Sequence, residues 1–131
     1  MKELKTYDSG TITAAGASES FNTDRIKGKI IKMQILCSAS TDFKIYCDAS
    51  DAGTPAIVDE YLLGSSGAAV TVNTSLTIYP VATRELPAGT GITVTGNIYD
   101  HFMVNEALQV DVTNLTAADT YRLVIWYEPA E

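Results

Sequence analysis

The chain has 131 residues, 46% of them hydrophobic and 19% charged, which excludes the disordered, collagen-like and disulfide-scaffold classes. Nine Lys and Arg against sixteen Asp and Glu leave a formal charge of −7, which argues against nucleic acid and anionic membranes as partners of the whole chain. A domain of this length buries roughly two-thirds of the surface its unfolded chain exposes, so residues 1–131 are expected to form one domain with a core of its own.

The N-terminus, Met1-Lys2-Glu3-Leu4-Lys5-Thr6-Tyr7-Asp8, holds no apolar run that reads as a signal peptide. Nowhere is there an unbroken apolar stretch of the ~18 residues that a membrane helix needs. Residues 1–9 are expected to be an extended N-terminal arm. Lys2, Lys5, Arg25, Lys27, Lys29 and Lys32 concentrate early, where ordinary solvated charge is the expectation and a local phosphate patch the alternative.

Beyond the arm, apolar and polar residues alternate with period two in runs bounded by Gly, Pro, Asn, Asp or Ser, the pattern of half-buried antiparallel strands. Ile31, Met33, Ile35 and Cys37 share one face of the first long strand, and Phe43, Ile45 and Cys47 one face of its expected hairpin partner. In that hairpin Cys47 lies opposite Met33, which separates the two sulfurs by roughly 13 Å and disfavours a disulfide. Residues 56–63 leave helix and strand open. Thr54 and Pro55 read as a helix start and Gly64 as a stop, while the β-branched Ile57-Val58 pair favours a strand.

Val70, Val72, Leu76 and Ile78 alternate next, and Pro80 interrupts at a strand end. Leu86-Pro87-Ala88-Gly89-Thr90-Gly91 is a turn by its chemistry, and Ile92 and Val94 open another strand. A last hairpin is expected from Leu108, Val110 and Val112 through a polar loop to Tyr121, Leu123, Ile125 and Tyr127. These runs predict about eight strands in an all-β, antiparallel β-sandwich of jelly-roll-like type, with a closed barrel as the alternative.

Chemistry is sparse. His101 is the sole histidine, and Asp100 beside it in an extended segment points to the opposite face, so the two do not pair as base and orienter. Asp59, Glu60, Glu106 and Asp111 are candidate glycosidase carboxylates by residue type alone. One histidine and two separated cysteines make no zinc site. Asp48-Ala49-Ser50-Asp51-Ala52-Gly53 lacks the alternating ligands of a calcium loop, and Gly89-Thr90-Gly91 fits no phosphate-binding fingerprint. No catalytic residue, metal site, cofactor or small-molecule substrate is expected.

Aromatic residues are the remaining carriers of function. Tyr127 continues the Leu123 and Ile125 face, which places Trp126 with Val124 on the opposite one, in a second buried layer or at a subunit contact. A cluster of Tyr46, Tyr61, Tyr79, Tyr99 and Trp126 on one face would make a sugar-binding platform.

Three stretches resemble small head proteins of tailed bacteriophages. They are Ser9-Gly10-Thr11-Ile12-Thr13-Ala14-Ala15-Gly16-Ala17-Ser18-Glu19-Ser20-Phe21, then Ile26-Lys27-Gly28-Lys29-Ile30, and the terminal run from Leu108 to Glu128. The resemblance lies in short Thr/Ala/Gly-rich strands, an extended N-terminal segment and a terminal strand pair. It implies a capsid decoration or cement protein, a non-enzymatic component of the virion that binds a capsid lattice and further copies of itself. A carbohydrate- or receptor-binding β-module of a viral fibre is the alternative.

Overall fold

A computed structural model describes residues 3–48, 59–83, 93–94, 96–97 and 99–130, of which 81–83, 93–94, 96–97 and 99–100 are described in backbone alone. The described residues contain strands and turns and no helix. In chain order the strands are β1 (Lys5–Asp8), β2 (Ile12–Thr13), β3 (Glu19–Asn22), β4 (Ile26–Cys37), β5 (Thr41–Cys47), β6 (Glu60–Leu63), β7 (Val70–Val72) and β8 (Ser75–Ile78). There follow β9 (Val81–Thr83), β10 (Thr93–Val94), β11 (Gly96–Asn97), β12 (Tyr99–His101), β13 (Met103–Glu106), β14 (Gln109–Thr113) and β15 (Thr120–Pro129).

Two antiparallel sheets hold most of these strands. In sheet A the order is β1-β15-β4-β13, with β2 also on β15 and β8 also on β4; in sheet B it is β3-β14-β5-β6, with β7 also on β5. Strands β9 and β12 pair with each other, as do β10 and β11. The predicted all-β sandwich is therefore the fold. The count rises above eight because the edges are assembled from strands of two to four residues, too short to show alternation.

The core lies between the sheets. Met33, Ile35, Leu123 and Ile125 point into it from sheet A, and Phe43, Ile45, Val110 and Val112 from sheet B, all at most 1% exposed. Burying each such side chain contributes roughly 1.5–3 kcal/mol. Tyr121 spans the gap: its ring meets Phe43 edge-on and stacks on Phe21, and its hydroxyl donates to Glu19 Oε1 at 2.7 Å. Every buried side-chain nitrogen and oxygen among the described residues has a partner.

Both expected hairpins are instead crossovers between sheets. β4 lies in sheet A and β5 in sheet B, and the same holds for β15 and β14. β4 pairs with β15 and β5 with β14, so the two crossovers run side by side and bond to each other, Ser38 N to Thr120 O at 2.9 Å and Thr120 N to Ser38 Oγ at 2.9 Å. Alternation is the same whether consecutive strands share a sheet or face one another across a core, so it does not separate a hairpin from a crossover. Both cysteines are free thiols, and they sit on different sheets rather than across one ladder.

A second correction concerns β4. The register against β15 slips between Trp126 and Tyr127, which face Lys32 and Ile30, leaving Ile31 as the extra residue of a β-bulge. The bulge switches parity, so Met33 and Ile35 point inward above it and Ile26, Gly28 and Ile30 below it, while Ile31 is half-buried. Gly28 is needed there, because a Cβ would overlap the Glu128 carbonyl oxygen.

Residues 5–8 of the expected arm lie along β15 as β1, an edge strand of sheet A. Of residues 56–63, Glu60–Leu63 is strand, and 56–58 lie outside the described residues.

Candidate functional site

The sandwich offers two outer faces, each made of the residues that alternate with the core set. On sheet B, cross-strand pairs place Asp111 beside Lys44 and Ser20, Gln109 beside Tyr46 and Asn22, Tyr61 beside Tyr46, and Thr71 beside Asp42. Their polar groups bond to one another. Asp111 accepts from Tyr46 Oη at 2.8 Å, Ser20 Oγ at 2.8 Å and Gln109 Nε2 at 3.0 Å. Asp42 accepts from Thr71 at 2.7 Å, and Lys44 donates to the Ser66 carbonyl at 3.1 Å.

Electrostatics on this face follow from those bonds. Burial works against the Asp111 carboxylate, but the donors Gln109, Tyr46 and Ser20 outweigh it and hold its pKa below the ordinary value. Burial and the hydrogen bond to Asp111 push the Tyr46 phenol well above its ordinary range. The Tyr46 and Tyr61 rings lie 4.7 Å apart, tilted by 30°. Tyr46 is only 8% exposed, so the pair presents little free ring face.

On sheet A the outward residues of β15 are Arg122, Val124, Trp126 and Glu128; those of β4 are Lys27, Lys29, Lys32, Gln34 and Leu36. Met103 of β13 lies opposite Lys29 and is 66% exposed. Tyr79 directly follows β8, whose Ile78 lies opposite Met33, and is 64% exposed. The Lys32 ammonium stands 4.2 Å from the centre of the half-buried Trp126 ring, a cation–π contact. Arg122 forms a bidentate ion pair with Asp8, and that hydrogen bond, with one from the Gly10 amide, lowers the Asp8 carboxyl to about 2. At the crossover end, Leu36 and Arg122 also border an open cleft of ≈ 320 Å³.

Of the other residues singled out by sequence, the structure brings Glu60 and Glu106 to the Cys47 thiol and places Asp111 and His101 elsewhere. His101 is exposed on β12, paired with Val81, and the Asp100 side chain lies outside the described residues. Asp111 is on the outer face of sheet B, while Glu60 and Glu106 both act on the Cys47 thiol. Burial first, then a hydrogen bond to Glu106 and the charges of Glu106 and Glu60, push that thiol up to about 12, so it is protonated at neutral pH and a poor nucleophile. Burial also raises the Cys37 thiol, which donates to the Val72 carbonyl at 3.4 Å. No group of three or more potential metal ligands occurs among the described residues.

Asp48 is exposed; residues 49–53, the turn expected over residues 86–91 and the Tyr99 side chain lie outside the described residues. The aromatic residues divide between opposite faces, Tyr46 and Tyr61 on sheet B, Trp126 and Tyr79 on sheet A. No helix among the described residues is long and apolar enough to cross a membrane. Compared with known protein families, curated proteins and solved structures, the chain matches none.

Alternation alone placed Trp126 with Val124 away from the Leu123 face, and that placement holds. It did not reveal that Lys27, Lys29 and Met103 join them. The signal was present as the Ile30-Ile31 doublet, which breaks the period-two pattern where the bulge falls.

Proposed function

We propose that this chain is a non-enzymatic virion structural protein, a decoration- or cement-type β-sandwich that binds and stabilises a capsid lattice alongside further copies of itself. The observation that supports this most is the outer face of sheet A. There Trp126, Met103, Tyr79 and Leu36 lie outward on a rigid antiparallel sheet, interleaved with cations. Large apolar side chains set among charges on a solvent face are the composition of a protein-docking surface. Repetition over a lattice turns modest single contacts into firm attachment.

The alternative, a carbohydrate- or receptor-binding module, needs several exposed rings on one face. The four described candidates divide two and two, and the sheet B pair has its inner ring buried and its hydroxyl engaged by Asp111. The assembly reading is preferred for that reason. Quantitative proteomics of purified particles from the virus that encodes the chain tests it. A fixed number of copies per capsid is expected, and absence from the particles would overturn the proposal.

A further inference from the structure

The bulge at Ile31 does more than bend a strand. Without it, Lys27 and Lys29 would share the inward parity of Met33 and Ile35; with it, they emerge beside Lys32 on the outer face. Arg25 joins them by donating to Asn105 at 2.8 Å on β13, and Arg122 lies on β15. Among the described residues this face thus carries five cations, Arg25, Lys27, Lys29, Lys32 and Arg122, against two anions, Asp8 and Glu128. The net is about three positive charges on a chain whose total is −7, leaving the remainder of the molecule at about −10.

We propose that the outer face of sheet A docks onto an acidic protein surface that also offers apolar contacts. Charge selects the sign of the partner: five cations gathered on one side of an acidic molecule attract an anionic surface while the rest of the molecule is repelled, which fixes the orientation of docking. The apolar residues select a protein over a nucleic acid. The exposed Met103 and the half-buried Leu36 have no role against phosphates, and the Trp126 face under the Lys32 ammonium is not open for base stacking. A second copy of this chain fits less well, because the outward carboxylates Asp111 and Asp42 of sheet B already accept hydrogen bonds from their own neighbours. The inference deepens the assembly reading and rests on it for the partner being a capsid subunit, but not for the face itself.

Two arms test it. In the first, the labelled protein is titrated by NMR with a synthetic peptide of alternating Glu and Leu, with oligothymidylate as competitor and sedimentation monitoring self-association. Shifts confined to β4, β13 and β15, including the Trp126 indole, are expected, and binding should weaken as salt rises. Lys29→Glu combined with Lys32→Glu should weaken binding on the order of tenfold, while Lys44→Glu on the opposite face should not. Circular dichroism establishes that each variant is folded, and Trp126→Leu provides a second disruption that keeps the face apolar. Shifts on sheet B, no shifts, tighter binding of oligothymidylate, or self-association through this face would each overturn the proposal.

The second arm uses capsids stripped of the chain. If the chain is present on virions but the folded Lys29→Glu, Lys32→Glu variant rebinds stripped capsids like the parent, the docking face is wrong and the assembly reading stands. If the chain is absent from virions while the titration maps to this face, the assembly reading alone falls.

Discussion

The outer faces of sheets A and B are built by the same alternation, yet they spend their polar groups differently. On sheet B, Asp111, Asp42, Tyr46 and Lys44 each have a hydrogen-bond partner in the same chain. On sheet A, Lys27 and Lys29 form no ion pair among the described residues, and Met103 and Tyr79 stand more than half exposed. A face that satisfies itself contributes to stability. One that leaves cations and apolar groups in solvent gains little for folding and much for binding. The contrast assigns substitutions on sheet B to stability and those on sheet A to association, and each of the following measurements can break it.

The largest effect lies beneath both faces. Phe43→Ala removes a ring that is 1% exposed and packs edge-on against Tyr121 of the opposite sheet, and it should cost about 3–5 kcal/mol of unfolding free energy in urea melts. A loss much under 2 kcal/mol would mean that the sheets are not held by a common core, and the two faces would then have to be treated as separate units.

Next in size is Asp111→Ala, which strips the donors Tyr46, Ser20 and Gln109 of their shared acceptor. Because Asp111 is only half-buried, the expected loss is about 1–2 kcal/mol rather than the full cost of a buried charge. No change in urea midpoint would remove the claim that sheet B's face is structural.

Acid titration extends the same point. The folded-state pKa values of Asp111 and Glu19 lie below their ordinary values, Asp111 held by its side-chain donors against the opposing effect of burial, Glu19 by the Ala15 amide and the Tyr121 hydroxyl; that of Asp8 lies at about 2 through Arg122. A carboxylate with a depressed folded pKa contributes stability that is present above its ordinary value and is lost as pH falls through the folded one. Stability should therefore hold above pH ~5 and decline from there towards pH 2. Asp111→Asn should flatten that decline more than Asp8→Asn, since the Asp8 pair is solvent-exposed and screened. The reverse order would place the stabilising electrostatics on sheet A.

These contrasts mark what was legible in the sequence. The inward sets Phe43-Ile45-Cys47, Leu108-Val110-Val112 and Leu123-Ile125 were readable because burial on one side imposes a period of two over several residues. Which strands pair was not, since the loops at 38–40 and 114–119 carry polar residues that suit a hairpin or a crossover equally well; Asn114 and Ala118 have φ of 61° and 77°, which no local motif announces for alanine. The cations of β4 were visible as a cluster in sequence, but their common face depends on one unpaired residue, Ile31, whose effect exists only in register with β15. Sheet B's hydrogen-bond network joins Ser20, Tyr46 and Asp111 across three strands, a contact set that follows from topology and from nothing local.

The smallest expected stability effect is the one that bears most on function. Trp126→Ala removes a half-buried ring, its cation–π contact with Lys32 and part of the cover over Val124. At a solvent-facing site the contact contributes about 0.5–1 kcal/mol, and some of the lost burial is recovered as Lys32 settles over Val124, so the net cost should be about 1 kcal/mol and a Tm lower by a few degrees. The same substitution removes the largest apolar anchor on the proposed docking face, where a central aromatic carries a disproportionate share of binding. A loss of stability equal to or above that of Asp111→Ala would make Trp126 a structural residue and turn the comparison of the faces around. A small loss together with weakened association would show that a large side chain is kept on the outside of sheet A for what it meets there.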